Sequence, residues 1–312
     1  SNSDNHLLYR SEEEREEAAK ACPFTKLKGI MLAEGMATEE ELAEIEAENE
    51  ILVQKAGDTV EGSPDPDPAS VEDYAWPPLL EFTETASPSE GSKWKIREAI
   101  NETLHHEFER NEHTFLWGQD VASKEKGGVF NVTKNMQQKF GRGRVFNGPI
   151  AEDYIVGTAN GLSRYRDDIR VVVEAAQFAD YVWPAMEQLV EMSHEYWRTK
   201  GQFCPNITLR LSSGGYIGGG LYHSQNVEAI FGHLPGVRIV APAFADDAAG
   251  LLRTCLRSQG MIFFLEPKFL YNQNFAATPR CDENHMVPLG KARIRRPGSD
   301  ITLISWGTPV HW

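Results

Sequence analysis

From about Ser92 onward the hydrophobic positions fall into two alternating patterns. Ile96, Ile100, Leu104 and Phe108 recur every four residues, which predicts a helix with one buried face. Short apolar runs follow and predict strands over 115–118, 169–175, 207–211, 237–241 and 261–265. Helical stretches separate them, at 132–140, 152–162, 183–198, 226–232 and 246–257. Several of the runs are apolar throughout, as strands covered on both faces are. Strands alternating with helices predict an α/β fold, a doubly wound and mainly parallel sheet. In such folds ligands bind outside the carboxyl ends of the strands. Gln177, Tyr181 and the loop from Ser212 to Gly220 each follow a predicted strand directly, so they belong at that edge.

Upstream the pattern is thinner. Residues 1–10 read as a polar loop, and Ser11 with Glu14 forms a capping box that opens a helix ending near Ala21. Pro23 suits the first turn of a second helix, which Gly35 ends. Thr38 with Glu41 opens a third, carrying Leu42, Ile45, Leu52 and Val53. Their apolar stripes are narrow, so these helices are expected to lie against something else. From Gly57 to Pro88 repeated Pro, Asp and Ser predict an extended linker, with Tyr74, Trp76 and Leu79 as anchors. Near the end, 301–306 reads as another strand, and Thr308 with Pro309 as a helix cap and first turn. A helix signalled so close to Trp312 is expected to belong to a truncated further domain. The expected organisation is a helical segment over 1–56, a linker over 57–91, an α/β domain over 92–280, and the start of a further domain over 281–312.

The charge is unevenly spread. Residues 1–90 hold 23 of the 46 acidic side chains and 6 of the 31 basic ones, so the net charge of −15 belongs to the front of the chain. The body is nearly neutral, and without a basic footprint it does not suit nucleic acid. No apolar run is long enough to span a membrane. Cys22, Cys204, Cys255 and Cys281 show no metal-ligand spacing and read as free thiols of a reducing compartment.

Two constellations carry candidate chemistry. Glu152, in PIAEDY, opens a predicted helix. The macrodipole alone accounts for many acids at such a position. Here, however, Gly157 and Gly161 follow in a GTANG step that permits close helix approach, and a tightly packed helix start is a poor place for an idle carboxylate. The second is SSGGYIGGGLYHSQ, where glycines 214, 215, 218, 219 and 220 let the backbone approach a ligand closely. The loop is neither a P-loop nor a GxGxxG turn. It leads to His223, whose side chain suits proton transfer near neutrality. His105 and His106 are adjacent on a helix and face different ways, so no metal site is expected from this chain.

Four segments carry a resemblance: GGVFNVTKNMQQKFGRGRVFNGPIAED, QFADYVWPAMEQL, GGGLYHSQNVEA and FFLEPKFLY. In this order they resemble the beta subunit of thiamine-diphosphate-dependent 2-oxo acid dehydrogenases, nearest the branched-chain (2-oxoisovalerate) type, over about residues 92–312. SNSDNHLLYRSEEE and SPDPDPASVEDYAW resemble the end of the alpha subunit, so the chain looks like part of a fused alpha–beta polypeptide.

The resemblance implies a transketolase-like pyrimidine-binding domain and an oxidative decarboxylation with acyl transfer to a lipoyl acyltransferase core. Glu152 would hydrogen-bond the aminopyrimidine ring nitrogen of thiamine diphosphate and favour its imino tautomer. Gln177, Tyr181 and the Ile150 backbone would line the aminopyrimidine pocket. His223 would manage protons at the reactive carbon, and Gly157 and Gly161 would face a second copy of the beta-type domain. The diphosphate and its Mg2+ would be held by a GDG motif on the alpha-type domain, and this sequence has no GDG. The chain would thus supply half of a site. The resemblance places it in a bacterial cytoplasm or a mitochondrial matrix. Alternatives are a pyruvate or acetoin dehydrogenase, or a non-catalytic assembly module that dimerises through Gly157 and Gly161.

Overall fold

A computed structural model describes residues 5–122, 127–175 and 177–312. The chain divides into two compact units, Ser1–Ser70 and Val71–Trp312. In the first, a short 3-10 turn at His6–Leu8 precedes helices α1 (Glu12–Lys20), α2 (Pro23–Ala33) and α3 (Glu39–Glu61). Residues 1–4 of the predicted polar loop lie outside the described residues. Both capping boxes form: Ser11 Oγ accepts from Glu14 N, Thr38 Oγ1 accepts from Glu41 N, and each glutamate reaches back to the cap. The sequence led us to expect these helices to lie against something else, but no described residue of the three is buried. Helix α3 runs through Gly57, where the linker was expected to begin, and ends at Glu61. One interior glycine costs roughly 1 kcal/mol, too little to stop a helix that continues for another turn.

The second unit is built on a six-stranded sheet. Its strands and helices run β1 (Lys93–Trp94), α4 (Ile96–Arg110), β2 (Thr114–Gly118), α5 (Met136–Phe140), β3 (Val145–Asn147), α6 (Glu152–Ser163), β4 (Arg170–Glu174), α7 (Met186–Ser193), α8 (Glu195–Arg198), β5 (Ile207–Ser213), α9 (Glu228–Phe231), β6 (Arg238–Val240), α10 (Ala245–Arg257), β7 (Met261–Pro267) and β8 (Thr278–Pro279). The sheet order is β3-β2-β4-β5-β7-β6, and every pairing is parallel. The two-residue strands β1 and β8 pair antiparallel, joining the start of the α/β region to its end.

Alternate strand residues feed two cores. Val172, Ile262 and Phe264 point to the face covered by α4 and α10, where Ile96, Ile100, Leu104 and Phe108 are all buried. Val171, Val173, Leu209 and Phe263 point to the opposite face, with Ile155, Val156 and Ala159 of α6 and Leu189 and Met192 of α7. From β2 the chain steps to β3 on one side, then returns across β2 to β4 and continues the other way. The strand order therefore switches direction between β2 and β4, which places the crevice for a ligand at the ends of those strands.

Several predicted elements differ. The helix expected at 132–140 starts only at Met136, because Asn131 and Asn135 take left-handed backbone angles. The helix expected at 183–198 is broken into a 3-10 turn, α7 and α8, with His194 at non-helical angles between the last two. The segment 301–306 is not a strand. It pairs with no described strand, and Ile301, Leu303 and Ile304 are largely exposed. Apolar β-prone residues need a partner ladder to become a strand. Thr308–His311 forms a 3-10 turn capped by Gly307, one residue earlier than the sequence suggested. The linker does dock: Tyr74 packs edge-on against Tyr196, and Trp197 donates to the Val71 carbonyl. No helix among the described residues is long and apolar enough to cross a membrane.

Candidate functional site

Glu152 is the first residue of α6 and is 9% exposed. Its cap residue, Ala151, has no side chain to satisfy the helix start, so the carboxylate is the nearest acceptor to the positive end of the helix. Gln119, which follows β2, donates from Nε2 to Glu152 Oε1 at 2.7 Å and to the Ala175 carbonyl at 2.9 Å. The second oxygen, Oε2, has no hydrogen-bond donor among the described residues. The next residue, Asp120, accepts from Gln177 Nε2 through Oδ2. Asp120 adopts φ of +59°, a left-handed turn directly after the strand. Two consecutive residues at the end of β2 thus hold Glu152 and the end of β4, at the point where the strand order switches.

The turn needs glycine before it. A Cβ on Gly118 would lie 2.2 Å from the Glu174 carbonyl oxygen. That contact is what allows β2 and β4 to come level at their ends.

An aromatic shelf lies beside this pair. The Phe178 ring meets His223 edge-on at 4.3 Å, and Tyr181 meets it at 5.5 Å. Asp180, buried in the same turn, accepts from the backbone N–H groups of Ser224 and Gln225 through Oδ1. It anchors the loop that presents His223. Within that loop, Gly214, Gly218 and Gly220 take left-handed angles, and a Cβ on Gly219 would meet the His223 Cβ at 2.5 Å. Here the glycine run serves to fold the loop back onto its own histidine.

Beneath the shelf runs a buried polar network. Arg210, in β5, donates from Nε and Nη2 to both oxygens of Glu266, at 2.7 and 3.0 Å, and from Nη1 to Glu174 at 3.0 Å. Tyr271 donates to Glu266 and also bonds Ser212. Two carboxylates face one guanidinium, and all are buried. Burial pushes the Glu174 carboxyl up to about 7 against the pull of Arg210, whereas burial, the largest influence on Arg210, disfavours its charge and is outweighed by Glu266 and Glu174 together, which hold it more firmly charged. The two directions are compatible, because Glu266 takes two guanidinium N–H groups and Glu174 takes one. Lys268 Nζ donates to the Ser212 carbonyl and sits 5.3 Å from the centre of the Phe178 ring. Burial lowers its pKa to about 8, with Asp180 opposing.

The predicted residues are therefore partly united. Glu152 and Gln177 are joined through Gln119 and Asp120, and Tyr181 and His223 through Phe178. Glu152 and His223 share no hydrogen bond among the described residues. Ile150 lies in the turn before α6 and is 87% exposed. Gly157 faces the Gln188 side chain of α7, 3.2 Å from where a Cβ would stand, whereas Gly161 faces open space. Gln119, Asp120, Asp180, Arg210 and Lys268 were not singled out from sequence. For Gln119 and Asp120 the signal was available: they follow a predicted strand directly, as Gln177 does. The surface concavities of about 520 and 370 Å3 lie along α4 and at the amino ends of β2 and β4, and none of these residues lines them.

Residues 92–273 match the family model of the transketolase pyrimidine-binding domain. The chain belongs to this family. Residues 1–69 match the model of the dehydrogenase E1 component. Among similar proteins, the chain is 39% identical over 234 residues to 2-oxoisovalerate dehydrogenase subunit beta 2, mitochondrial, of Arabidopsis thaliana, covering 74% of this chain and 63% of the relative. It is 36% identical to 2-oxoisovalerate dehydrogenase subunit beta, mitochondrial, of Dictyostelium discoideum, over 84% of this chain and 68% of the relative. It is also 36% identical to pyruvate dehydrogenase E1 component subunit beta of Acholeplasma laidlawii, over 69% of this chain and 64% of that one. The chain thus spans about two thirds of the length of these relatives. In this domain Glu152 is bonded to Gln119, the residue that follows β2 at the β2–β4 switch point.

Proposed function

We propose that the chain is the beta-type part of a 2-oxo acid dehydrogenase, and that it supplies the aminopyrimidine half of a thiamine-diphosphate site. One observation carries the reading: a nearly buried carboxylate has one oxygen fixed by Gln119 and the other without a donor among the described residues, at the switch point of the sheet. An acid in that state is suited to a ring nitrogen. The residues therefore fit the cofactor that the family implies. Glu152 would hold a proton at Oε2 or give it up to the ring, while the Gln177 and Tyr181 side chains bound the ring and the Ile150 backbone lines its edge. His223, steadied by Phe178 and by the Asp180 anchor, would carry protons for the substrate. When bound, thiamine diphosphate supplies the electron sink for decarboxylation.

The preferred substrate class is a branched-chain 2-oxo acid, with acyl transfer to a lipoyl acyltransferase. Two of the relatives above support it by name. The pyruvate-type relative keeps a pyruvate or acetoin dehydrogenase as the second reading. An alpha-type domain would hold the diphosphate and its Mg2+, and the family match over residues 1–69 supports such a partner. Within this assignment, 92–280 forms the pyrimidine-binding domain and 281–312 begins a transketolase-like C-terminal domain. The compartment would be the cytoplasm of a bacterium or the mitochondrial matrix.

The open side of Gly161, beside exposed Tyr154 and Thr158 on α6, suits contact with a second copy of the chain. If assembly were this chain's whole task, replacing Glu152 would not matter. The test is a 2-oxo acid screen on a full-length protein with its alpha-type domain, thiamine diphosphate and Mg2+. Glu152→Gln is expected to abolish turnover while leaving the fold intact. Turnover at the wild-type rate would overturn the assignment.

A further inference from the structure

Lys268 opens the 3-10 turn that follows β7, and it is only 3% exposed. Among the described residues it forms no ion pair. Its Nζ donates to the Ser212 carbonyl at 3.2 Å and lies over the Phe178 ring, 5.3 Å from the ring centre. Burial strips an ammonium of hydration, and the electron-rich face of an aromatic ring returns part of that loss. The contact restrains the ring in turn, because its face must stay toward the charge. The same ring meets His223 edge-on at 4.3 Å. Asp180 holds the loop of His223 through Ser224 N and Gln225 N, and it is attracted to the Lys268 charge. Lys268 thus acts on both supports of the imidazole. We propose that Lys268 is the positioning residue of His223, its ammonium seating the Phe178 ring against which the imidazole stands. The proposal rests on His223 being the proton carrier for the substrate and deepens that reading.

Volume, hydrogen bonding and charge can be separated at residue 268. Methionine keeps the length without the charge. Glutamine keeps a donor for the Ser212 carbonyl, also without the charge. Arginine keeps the charge and stacks on aromatic faces. A lysine that merely filled space could be replaced by methionine, and one that merely tied down the Ser212 carbonyl by glutamine. If the charge seats the ring, only arginine preserves the place of His223. Glu152 is held by Gln119 after β2, a bond that Lys268 does not share, so the pyrimidine side of the site should be unaffected.

Two measurements test this. In the 312-residue chain, the imidazole C–H resonances of His223 are assigned by their loss in His223→Asn and compared among variants. The ring current of Phe178 displaces them, so Phe178→Leu should move them. Lys268→Met and Lys268→Gln should move them too, and Lys268→Arg should not. In the Phe178→Leu background Lys268→Met should add nothing further. The second measurement uses a full-length protein with its alpha-type domain and Mg2+. There Lys268→Met should lower kcat on 2-oxo acids by about tenfold, the size of one buried cation–ring contact. Thiamine diphosphate affinity by calorimetry should stay unchanged, and Lys268→Arg should restore most of the turnover. If Lys268→Met does not fold, Lys268→Gln and Lys268→Arg decide. His223 resonances unmoved by loss of the charge, or cofactor affinity falling as far as kcat, would overturn the inference. Should the wild-type protein turn over no 2-oxo acid, the functional reading of the site fails, while the resonances still decide whether Lys268 seats His223.

Discussion

The perturbation with the clearest physical sign is Glu174→Gln. Glu174 is buried and receives one N–H from Arg210, two of whose other N–H groups go to Glu266. One guanidinium cannot neutralise two carboxylates, so burial dominates and raises the Glu174 pKa from 4.5 to about 7. A carboxyl raised in the folded state binds more protons there than in the unfolded chain between those two values. Stability from this group is therefore lost as pH rises through that window. At about 1.36 kcal/mol per unit, the loss is about 3 kcal/mol once pH exceeds the folded value. Glutamine keeps an acceptor for Arg210 Nη1 and cannot ionise. Relative to wild type, Glu174→Gln should therefore gain about 3 kcal/mol between about pH 4 and about pH 8. For a unit of this size that corresponds to a relative gain of about 6–12 °C in thermal midpoint. Urea or thermal unfolding of both proteins across the window measures it, and acid effects common to the two cancel. A difference that stays flat with pH, or one that falls toward alkali, would refute the reasoning. The Arg210 attraction would then outweigh burial.

Other perturbations follow from the same geometry. Arg210→Met leaves Glu266 buried without its two guanidinium N–H groups, and should cost about 3–5 kcal/mol by denaturant unfolding. Gly118→Ala puts a methyl 2.2 Å from the Glu174 carbonyl, so β2 must part from β4; a loss of more than about 3 kcal/mol is expected in the same assay. Lys268, lowered from 10.5 to about 8, binds fewer protons folded than unfolded within that window, so wild-type stability should rise with pH across it. That rise should vanish in Lys268→Met, and an unchanged pH slope in the variant would remove the burial argument.

What was legible in the sequence is what periodicity or capping chemistry records. The four-residue repeat of Ile96, Ile100, Leu104 and Phe108 gave α4, and both capping boxes form as Ser11 and Thr38 announce. Strand β3 was not legible, since three residues at a sheet edge carry no period. Nor was the break at His194, which no Gly or Pro in the sequence marks. The site divides along the same line. Glu152 stood out because an acid that opens a helix and is followed by the small-residue GTANG step is a local pattern. The Arg210 network brings together β4, β5 and β7, from residues up to 92 apart in sequence, and no local pattern predicts that meeting. Gln119 lies between these cases. Its place after a strand was readable, but its bond to Glu152 spans 33 residues and exists only because β3 and α6 return the chain to the end of β2. The return of the chain at the switch point thus brings the donor that follows β2 to the acid that opens α6.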